Sequence, residues 1–397
     1  MSFFQYYRCS QCGKEYDSER LSYLCPECSK DYQAGIPLPG ILEAVFDYPE
    51  IAKAWADFLK ENPGAEIEAR IRKLSAILSP VDMEHYPNLP VGNSPLIPGT
   101  GLGIKNLYLK FDGQNPSGSF KDRASAIMVA EAKRRGIKEI VTASTGNAAS
   151  SLAALCASSA IRAVIFAPAK APKAKLVQIK VHGATLNLVD GNYDDAYKEA
   201  LRYSSLHDCL NRNTAYHPFT IEGKKTAGLE IFAQLDQLPD YIFVPTGDGV
   251  ILSGIAKAFA DLLAARITDR LPALIAVQAE SSDAICSYWE SGTYQDAQAP
   301  RTVADSISVK TPAAAHLAYR VLNETDGMGI RVSDFEILAA QKMLASRTGI
   351  FCEPSSASAL AAYFKAKEQG WIKDNCKVVL MITGHGLKDI EAVKDDS

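Results

Sequence analysis

The chain has 397 residues, 47% of them hydrophobic and 22% charged, with 42 Lys and Arg against 46 Asp and Glu for a formal net charge of −4. At about 150 residues per domain this length allows two to three domains with ample core, so folding does not depend on disulfides. The even charge balance argues against nucleic acid as a partner, and no apolar run approaches the roughly 18 residues that argue for a membrane span.

The first eight residues, Met1 to Arg8, carry no charged segment followed by an apolar one, so no secretory signal is expected. Of the nine cysteines, four lie in the first 28 residues and five are scattered. An odd total divided in this way points to a reducing compartment, and a cytoplasmic location is expected.

Cys9-x-x-Cys12 and Cys25-x-x-Cys28 have the spacing of two knuckles that place four thiolates around one ion. Zinc favours such a tetrahedral sulfur set, and four protein ligands leave no open position, so the site is read as structural. A metal-free remnant held by packing is the alternative. Basic and acidic residues nearly balance around these cysteines, unlike a nucleic-acid-binding ribbon. Gly35 to Gly40, with two prolines, reads as a linker.

After it, 50–59 and 66–78 read as helices, the second with Ile67, Ile71, Leu74 and Leu78 on one face. Residues 87–98 hold four prolines and read as extended. From Asn106 onward, strand-like runs at 107–111, 139–143, 163–167, 185–189, 241–244, 273–278 and 378–383 alternate with helical patterns. Those helices are expected at 122–135, 148–157, 171–182, 194–204, 221–235 and 251–263. Apolar strands alternating with helices argue an α/β protein with parallel sheets covered on both faces, in two lobes.

Ligands of such sheets gather where loops leave the carboxyl ends of strands. Four junctions there are rich in Ser, Thr, Gly and Asn. In Asn115-Pro116-Ser117-Gly118-Ser119-Phe120-Lys121-Asp122-Arg123, a lysine opens a helix, where desolvation and the positive helix end lower an amine's pKa and make it nucleophilic. A surface lysine paired with Asp122 is the alternative. Ser144-Thr145-Gly146-Asn147 offers hydroxyls and helix amides to a carboxylate or phosphate, or simply caps its helix. Gly247-Asp248-Gly249-Val250-Ile251 can open backbone amides to a phosphate, although Asp248 repels an anion unless it turns away. In the fourth, Thr383-Gly384-His385-Gly386-Leu387, a hydroxyl closes the last strand.

Together and in this order, with Glu222-Gly223-Lys224-Lys225-Thr226 and Phe351-Cys352-Glu353-Pro354-Ser355-Ser356-Ala357, these segments resemble the threonine synthase family. That family belongs to the fold type II, tryptophan-synthase-β-like class of pyridoxal-phosphate enzymes. The resemblance runs from about Pro87 to Lys388. It implies two parallel-sheet α/β lobes behind the zinc-ribbon-like segment: the ribbon at 1–35, a large cofactor-binding domain at 36–135 and 226–397, and a small domain at 136–225.

It also implies roles. Lys121 forms the Schiff base with pyridoxal 5'-phosphate and shuttles substrate protons. Asn147 bonds the cofactor's phenolic oxygen, Gly247, Asp248, Gly249, Val250 and Ile251 hold its phosphate, and Thr383 faces its ring nitrogen. Ser144, Thr145 and Asn147 lie near the substrate carboxylate. The implied enzyme is a lyase of threonine biosynthesis that converts O-phospho-L-homoserine, a small phosphorylated amino acid, to L-threonine and phosphate, and a homodimer is expected.

The chain departs from the family pattern in three places. His217 and Thr220 stand where an asparagine and an arginine usually help grip the substrate phosphate, and threonine offers one neutral donor in place of a bidentate fork. His217, Lys224 and Lys225 are the available substitutes. In the cofactor loop, Asp248 replaces an asparagine and Val250 a glycine. On sequence alone two other readings stay open. One is a sister elimination or replacement on phosphoserine, phosphothreonine, serine or threonine; the other is a zinc-ribbon adaptor with an inactive body.

Overall fold

The computed structural model describes residues 2–19, 23–235 and 237–393. The chain forms two compact units. One comprises Met1–Gly92, Lys121–Thr226 and Ala264–Ile267; the other comprises Asn93–Phe120, Ala227–Leu263 and Thr268–Ser397.

The first unit holds a four-stranded sheet in the order Thr185–Val189, Arg162–Pro168, Glu139–Ala143 and Leu210–Asn211. All three pairings are parallel. Glu139–Ala143 is buried at every position, the pattern of a strand covered on both faces. Helix Lys121–Arg135 is buried from Asp122 through Ala132. Its core joins Met128 and Ile127 to Leu152, Ile140 and Ile165, and also to Tyr7, Cys9 and Leu42 of an N-terminal sheet. That sheet is antiparallel, in the order Glu15–Asp17, Phe4–Cys9, Leu42–Phe46.

Two expectations change here. The linker read at 35–40 is part of the ribbon: the Gly40 N–H donates to Gln11 Oε1 at 3.0 Å, and its carbonyl accepts the Cys25 N–H at 2.8 Å. Residues 36–92 and 121–135, assigned from sequence to the large domain, group here with the smaller sheet. The physical reason is the shared core, in which Ala126–Ala132 and Leu42 bury apolar surface together.

The second unit carries a six-stranded sheet in the order Met328–Val332, Ala273–Ala279, Tyr241–Pro245, Val378–Ile382, Leu107–Phe111, Leu96–Pro98. Only the Leu96–Pro98 edge is antiparallel. Tyr241 lies opposite both Ala273 and Val378, so the two middle strands run in step and their carboxyl ends lie side by side. Beneath Leu107–Phe111 sits a buried ion pair, Lys110 Nζ to Glu230 Oε2 at 2.5 Å. Lys110 also donates to Ser94 O at 2.7 Å and Gln234 Oε1 at 2.8 Å, which satisfies all three of its protons.

Candidate active site

In the second unit, the loop after Tyr241–Pro245 is pressed against its surroundings. A Cβ on Gly247 would lie 3.0 Å from Ile307 Cα and 3.2 Å from Ser306 O. Gly249 has φ +83°, and a Cβ there would lie 3.1 Å from Ala314 O. Helix Val250–Ala264 starts at once, so its first N–H groups open on this loop as an anion site. The Asp248 carboxylate turns onto its own helix and accepts the Val250 N–H at 3.0 Å. It therefore places one negative charge where an anion would bind.

At the neighbouring strand end, Thr383 is buried, with its Oγ1 3.2 Å from Ser356 Oγ. Its carbonyl accepts the Phe120 N–H at 2.8 Å. These features fit pyridoxal phosphate: a backbone cradle with a helix N-terminus for the phosphate, and a neutral hydroxyl for the ring nitrogen.

In the first unit, Lys121 is the first residue of Lys121–Arg135 and is partly buried. Ser144, Thr145 and Gly146 join strand Glu139–Ala143 to helix Asn147–Ala157, whose N-cap residue, Gly146, has no side chain to cap it. The Ser144 hydroxyl instead accepts the Gly146 N–H at 3.2 Å. Helix N-terminal amides beside short hydroxyls suit a carboxylate. These residues are knitted to Lys121–Arg135: Ser151 Oγ donates to Ser125 Oγ at 2.8 Å.

Residues 210–226 run past the same place. Asn213 Oδ1 accepts from Ala143 N at 2.8 Å and from Thr142 Oγ1 at 3.0 Å, so this segment leaves the sheet beside Ser144. His217 and Thr220 are both fully buried. His217 Nδ1 accepts the Phe219 N–H at 3.1 Å, and burial lowers its pKa to about 4, so the ring is neutral. Thr220 Oγ1 donates to His217 O at 2.8 Å and accepts the Ala215 N–H at 2.9 Å. Both side chains thus serve the segment's own conformation. Lys225 pairs with Glu222 and lies 4.2 Å over the Phe46 ring. Lys224 is the cation directed elsewhere: its Nζ is 2.5 Å from the hydroxyl of the partly exposed Thr214. Sequence reasoning named Lys224 without a direction and had no signal for Thr214.

The four ribbon thiols converge. All ligand atoms of Cys9, Cys12, Cys25 and Cys28 lie within 4.8 Å of one another, with Cys9–Cys28 at 3.9 Å and Cys12–Cys25 at 3.7 Å. An ion with bonds of about 2.3 Å separates tetrahedral sulfurs by about 3.8 Å, so the donor set fits zinc.

A family model described as pyridoxal-phosphate dependent enzyme matches residues 88–384. The chain is 35% identical over 396 residues to a threonine synthase of Methanocaldococcus jannaschii, covering 97% of this chain and 93% of that protein. It is 34% identical over 312 residues to a threonine synthase of Synechocystis, covering 77% and 79%. Among solved structures, maize serine racemase superposes with a TM-score of 0.64 at 24% identity, covering 80% of this chain and 94% of that one. The processed form of threonine deaminase isoform 2 from Solanum lycopersicum gives 0.64 at 22%, covering 86% and 93%. At those identities the two structures speak for the fold, which is the expected α/β fold type II.

Proposed function

The chain belongs to the pyridoxal-phosphate-dependent enzymes, and within them to the threonine synthases, and from that premise we propose that it converts O-phospho-L-homoserine and water to L-threonine and phosphate. The observation that carries this reading is the similarity to threonine synthases along 97% of the chain, ribbon included.

Bound pyridoxal phosphate would supply an electron-accepting ring that stabilises the charge left when a proton is removed from Cα and then that left when a second proton is removed from Cβ, which is the carbon from which loss of the γ-phosphate and addition of water proceed. The protein's residues do the rest. Lys121 holds the cofactor at rest, and its freed amine takes the α-proton and returns protons later. Asn147 hydrogen-bonds the phenolic oxygen. The amides of Gly247, Asp248, Gly249, Val250 and Ile251 bind the cofactor phosphate, and Thr383 faces the ring nitrogen. A hydroxyl does not force a proton onto that nitrogen, which moderates the electron demand. Ser144, Thr145 and Asn147 hold the substrate carboxylate. His217 and Thr220, at the positions of the family's phosphate grip, shape the segment from inside.

Cys9, Cys12, Cys25 and Cys28 bind a structural zinc, and the enzyme works as a cytoplasmic homodimer. Among the described residues, no helix is long and apolar enough to cross a membrane.

A β-elimination or β-replacement on phosphoserine or phosphothreonine is the second reading, favoured by the buried Thr220 where the resemblance expects an arginine. The test is turnover of cofactor-loaded enzyme on O-phosphohomoserine, phosphoserine and phosphothreonine in parallel, with Lys121→Ala as the silent control. Threonine rising in step with phosphate from O-phosphohomoserine supports the proposal. Pyruvate, 2-oxobutyrate or a sulfite adduct from a shorter substrate supports the second reading.

A further inference from the structure

We propose that Ser356 is a positioning residue for the cofactor ring: its hydroxyl donates to Thr383 Oγ1 and so turns the Thr383 proton towards the ring nitrogen, which stays unprotonated. This inference rests on the proposed function only in placing Thr383 against that nitrogen.

The argument begins with a count of protons. A serine or threonine hydroxyl has one proton to give and two lone pairs to receive. Ser356 is fully buried, and its Oγ already accepts the Gly384 N–H at 2.9 Å. Two acceptors are in reach of its own proton, Thr383 Oγ1 at 3.2 Å and Gly384 O at 3.4 Å. The carbonyl is the farther of the two, and it already receives the Glu353 N–H at 3.1 Å. Bonds between oxygens favour about 2.7–2.8 Å and weaken with distance, so the Ser356 proton goes to Thr383. All of these residues lie in the second unit.

Thr383 then has one proton left to place. Among the described residues, Ser356 is the one side-chain partner of its buried hydroxyl. With Ser356 donating, the Thr383 proton finds its acceptor in a bare ring nitrogen and finds none in a protonated one, and a buried donor without an acceptor is costly. The donation from Ser356 also strengthens Thr383 as a donor and weakens it as an acceptor. The opposite arrangement runs from a protonated nitrogen to Thr383, on to Ser356 and finally to Gly384 O, over the longest contact of the set.

The charges nearby leave the decision to this bond. Ser356 is the third residue of helix Pro354–Glu368, whose positive end disfavours a second cation. Glu353, the N-cap residue of that helix, carries the opposing charge, and its carboxylate fills the space of a Gly384 side chain. Anion and helix end lie together and largely offset one another. His385 turns Nδ1 back onto its own chain, where it accepts the Leu387 N–H at 3.2 Å. Burial raises the pKa of the Cys352 thiol and keeps it neutral.

The test uses wild type, Ser356→Ala, Thr383→Val and the double variant, each loaded with pyridoxal phosphate carrying nitrogen-15 in its ring. Nitrogen NMR across pH reads whether the ring nitrogen holds the proton, and absorbance titration of each apoenzyme gives Kd for the cofactor. Melting temperature serves as the fold check. No substrate enters these measurements, so they are independent of which amino acid the enzyme turns over.

The wild-type nitrogen should be unprotonated at neutral pH. Loss of one hydrogen bond predicts that Ser356→Ala raises the nitrogen's proton affinity and the cofactor Kd by about 3- to 10-fold each. In the Thr383→Val background the same substitution should change neither, because Ser356 acts through Thr383. A role confined to holding the Gly384 amide would persist there.

A wild-type nitrogen protonated at neutral pH overturns the proposal, and so do equal effects of Ser356→Ala in the two backgrounds. Where the nitrogen stays bare down to the lowest pH the fold withstands, the Kd cycle decides alone. If Ser356→Ala fails to fold, the state of the wild-type nitrogen decides. An effect of Thr383→Val with none from Ser356→Ala removes this inference alone. Nitrogen signal and Kd both unchanged in Thr383→Val remove Thr383 from the ring, and that part of the proposed function with it.

Discussion

The ring of Tyr23 stacks on the ring of Tyr216 at 4.8 Å with the planes 19° apart. The Tyr23 hydroxyl also accepts the Asn211 N–H at 3.0 Å, and Phe4 and Tyr7 meet Phe219 at 5.8 and 5.9 Å. The N-terminal ribbon is therefore a buttress for residues 211–219, which carry His217.

Removing the proposed zinc should loosen that buttress. With four thiolates about 3.8 Å apart and no ion between them, the ribbon loses its cross-link, and the 211–219 segment loses its aromatic backing. The expected result is release of about one zinc per chain on chelation. A fall in melting temperature of at least about 5 °C should accompany it, with a weaker near-UV signal from the tyrosines. A chain that carries no zinc as purified, and whose melting a chelator leaves unchanged, would contradict the metal assignment.

Stability should depend on pH through His217. Burial lowers its pKa from 6.5 to about 4, with Glu131 opposing the shift and Arg135 adding to it. Between those two values the unfolded chain binds the proton and the folded chain does not, so stability rises with pH across this window. It is fully present above about 6.5 and lost as pH falls towards 4, on the order of 3 kcal/mol in total. His217→Asn keeps an acceptor for the Phe219 N–H and cannot titrate, so its melting temperature should vary less between pH 4 and 6.5. Equal slopes for the two proteins would refute the claim.

Restoring the family's arginine should fail. Thr220 is completely buried, and its hydroxyl links His217 O to Ala215 N. A guanidinium there is an unpaired buried charge in a full site, and both effects destabilise by several kcal/mol. Thr220→Arg is therefore expected to melt lower by more than about 5 °C without any fall in KM. A stable variant with a lower KM would mean that the segment opens towards the substrate.

The alternation of apolar strands and amphipathic helices was legible because each period lies in one short window. Glu139–Ala143 and Thr185–Val189 fall where the sequence placed them. The ribbon strands Phe4–Cys9 and Leu42–Phe46 were not read, because aromatic and charged residues mask their alternation. At the site, the Lys121, Ser144 and Gly247 junctions announced themselves through strand–helix boundaries. The direction of Lys224 could not be read, since facing depends on where Gly223 meets Arg123, a contact about 100 residues apart in the chain.

Asp248 should weaken cofactor binding. Its carboxylate caps Val250–Ala264, so the helix end offered to the cofactor phosphate already carries a negative charge. Asp248→Asn keeps an acceptor for Val250 N and removes the repulsion, which at a helix terminus is worth about 0.3–1 kcal/mol. A roughly 2- to 5-fold lower Kd for pyridoxal phosphate is expected when apoenzyme is titrated and followed by absorbance. The gain should shrink as salt is raised. An unchanged or higher Kd would show that the carboxylate points away from the phosphate.

The Lys110–Glu230 pair should behave as a unit. Glu230 accepts from Lys110, from Asn93 N at 2.8 Å and from Ser94 N at 3.2 Å. It therefore ties the chain entering the Leu96–Pro98 strand to the helix Phe219–Gln234. Glu230→Ala strands a buried ammonium and two amides, and a loss of about 3–5 kcal/mol is expected. Lys110→Met strands the carboxylate, which the two amides still support, so its loss should be smaller. In the double variant Lys110→Met with Glu230→Ala no charge of the pair is stranded, but Asn93 and Ser94 keep unmet donors. Its melting temperature should lie above that of Glu230→Ala and below wild type. Additive losses across this cycle would mean that the two residues contribute independently rather than through their pairing.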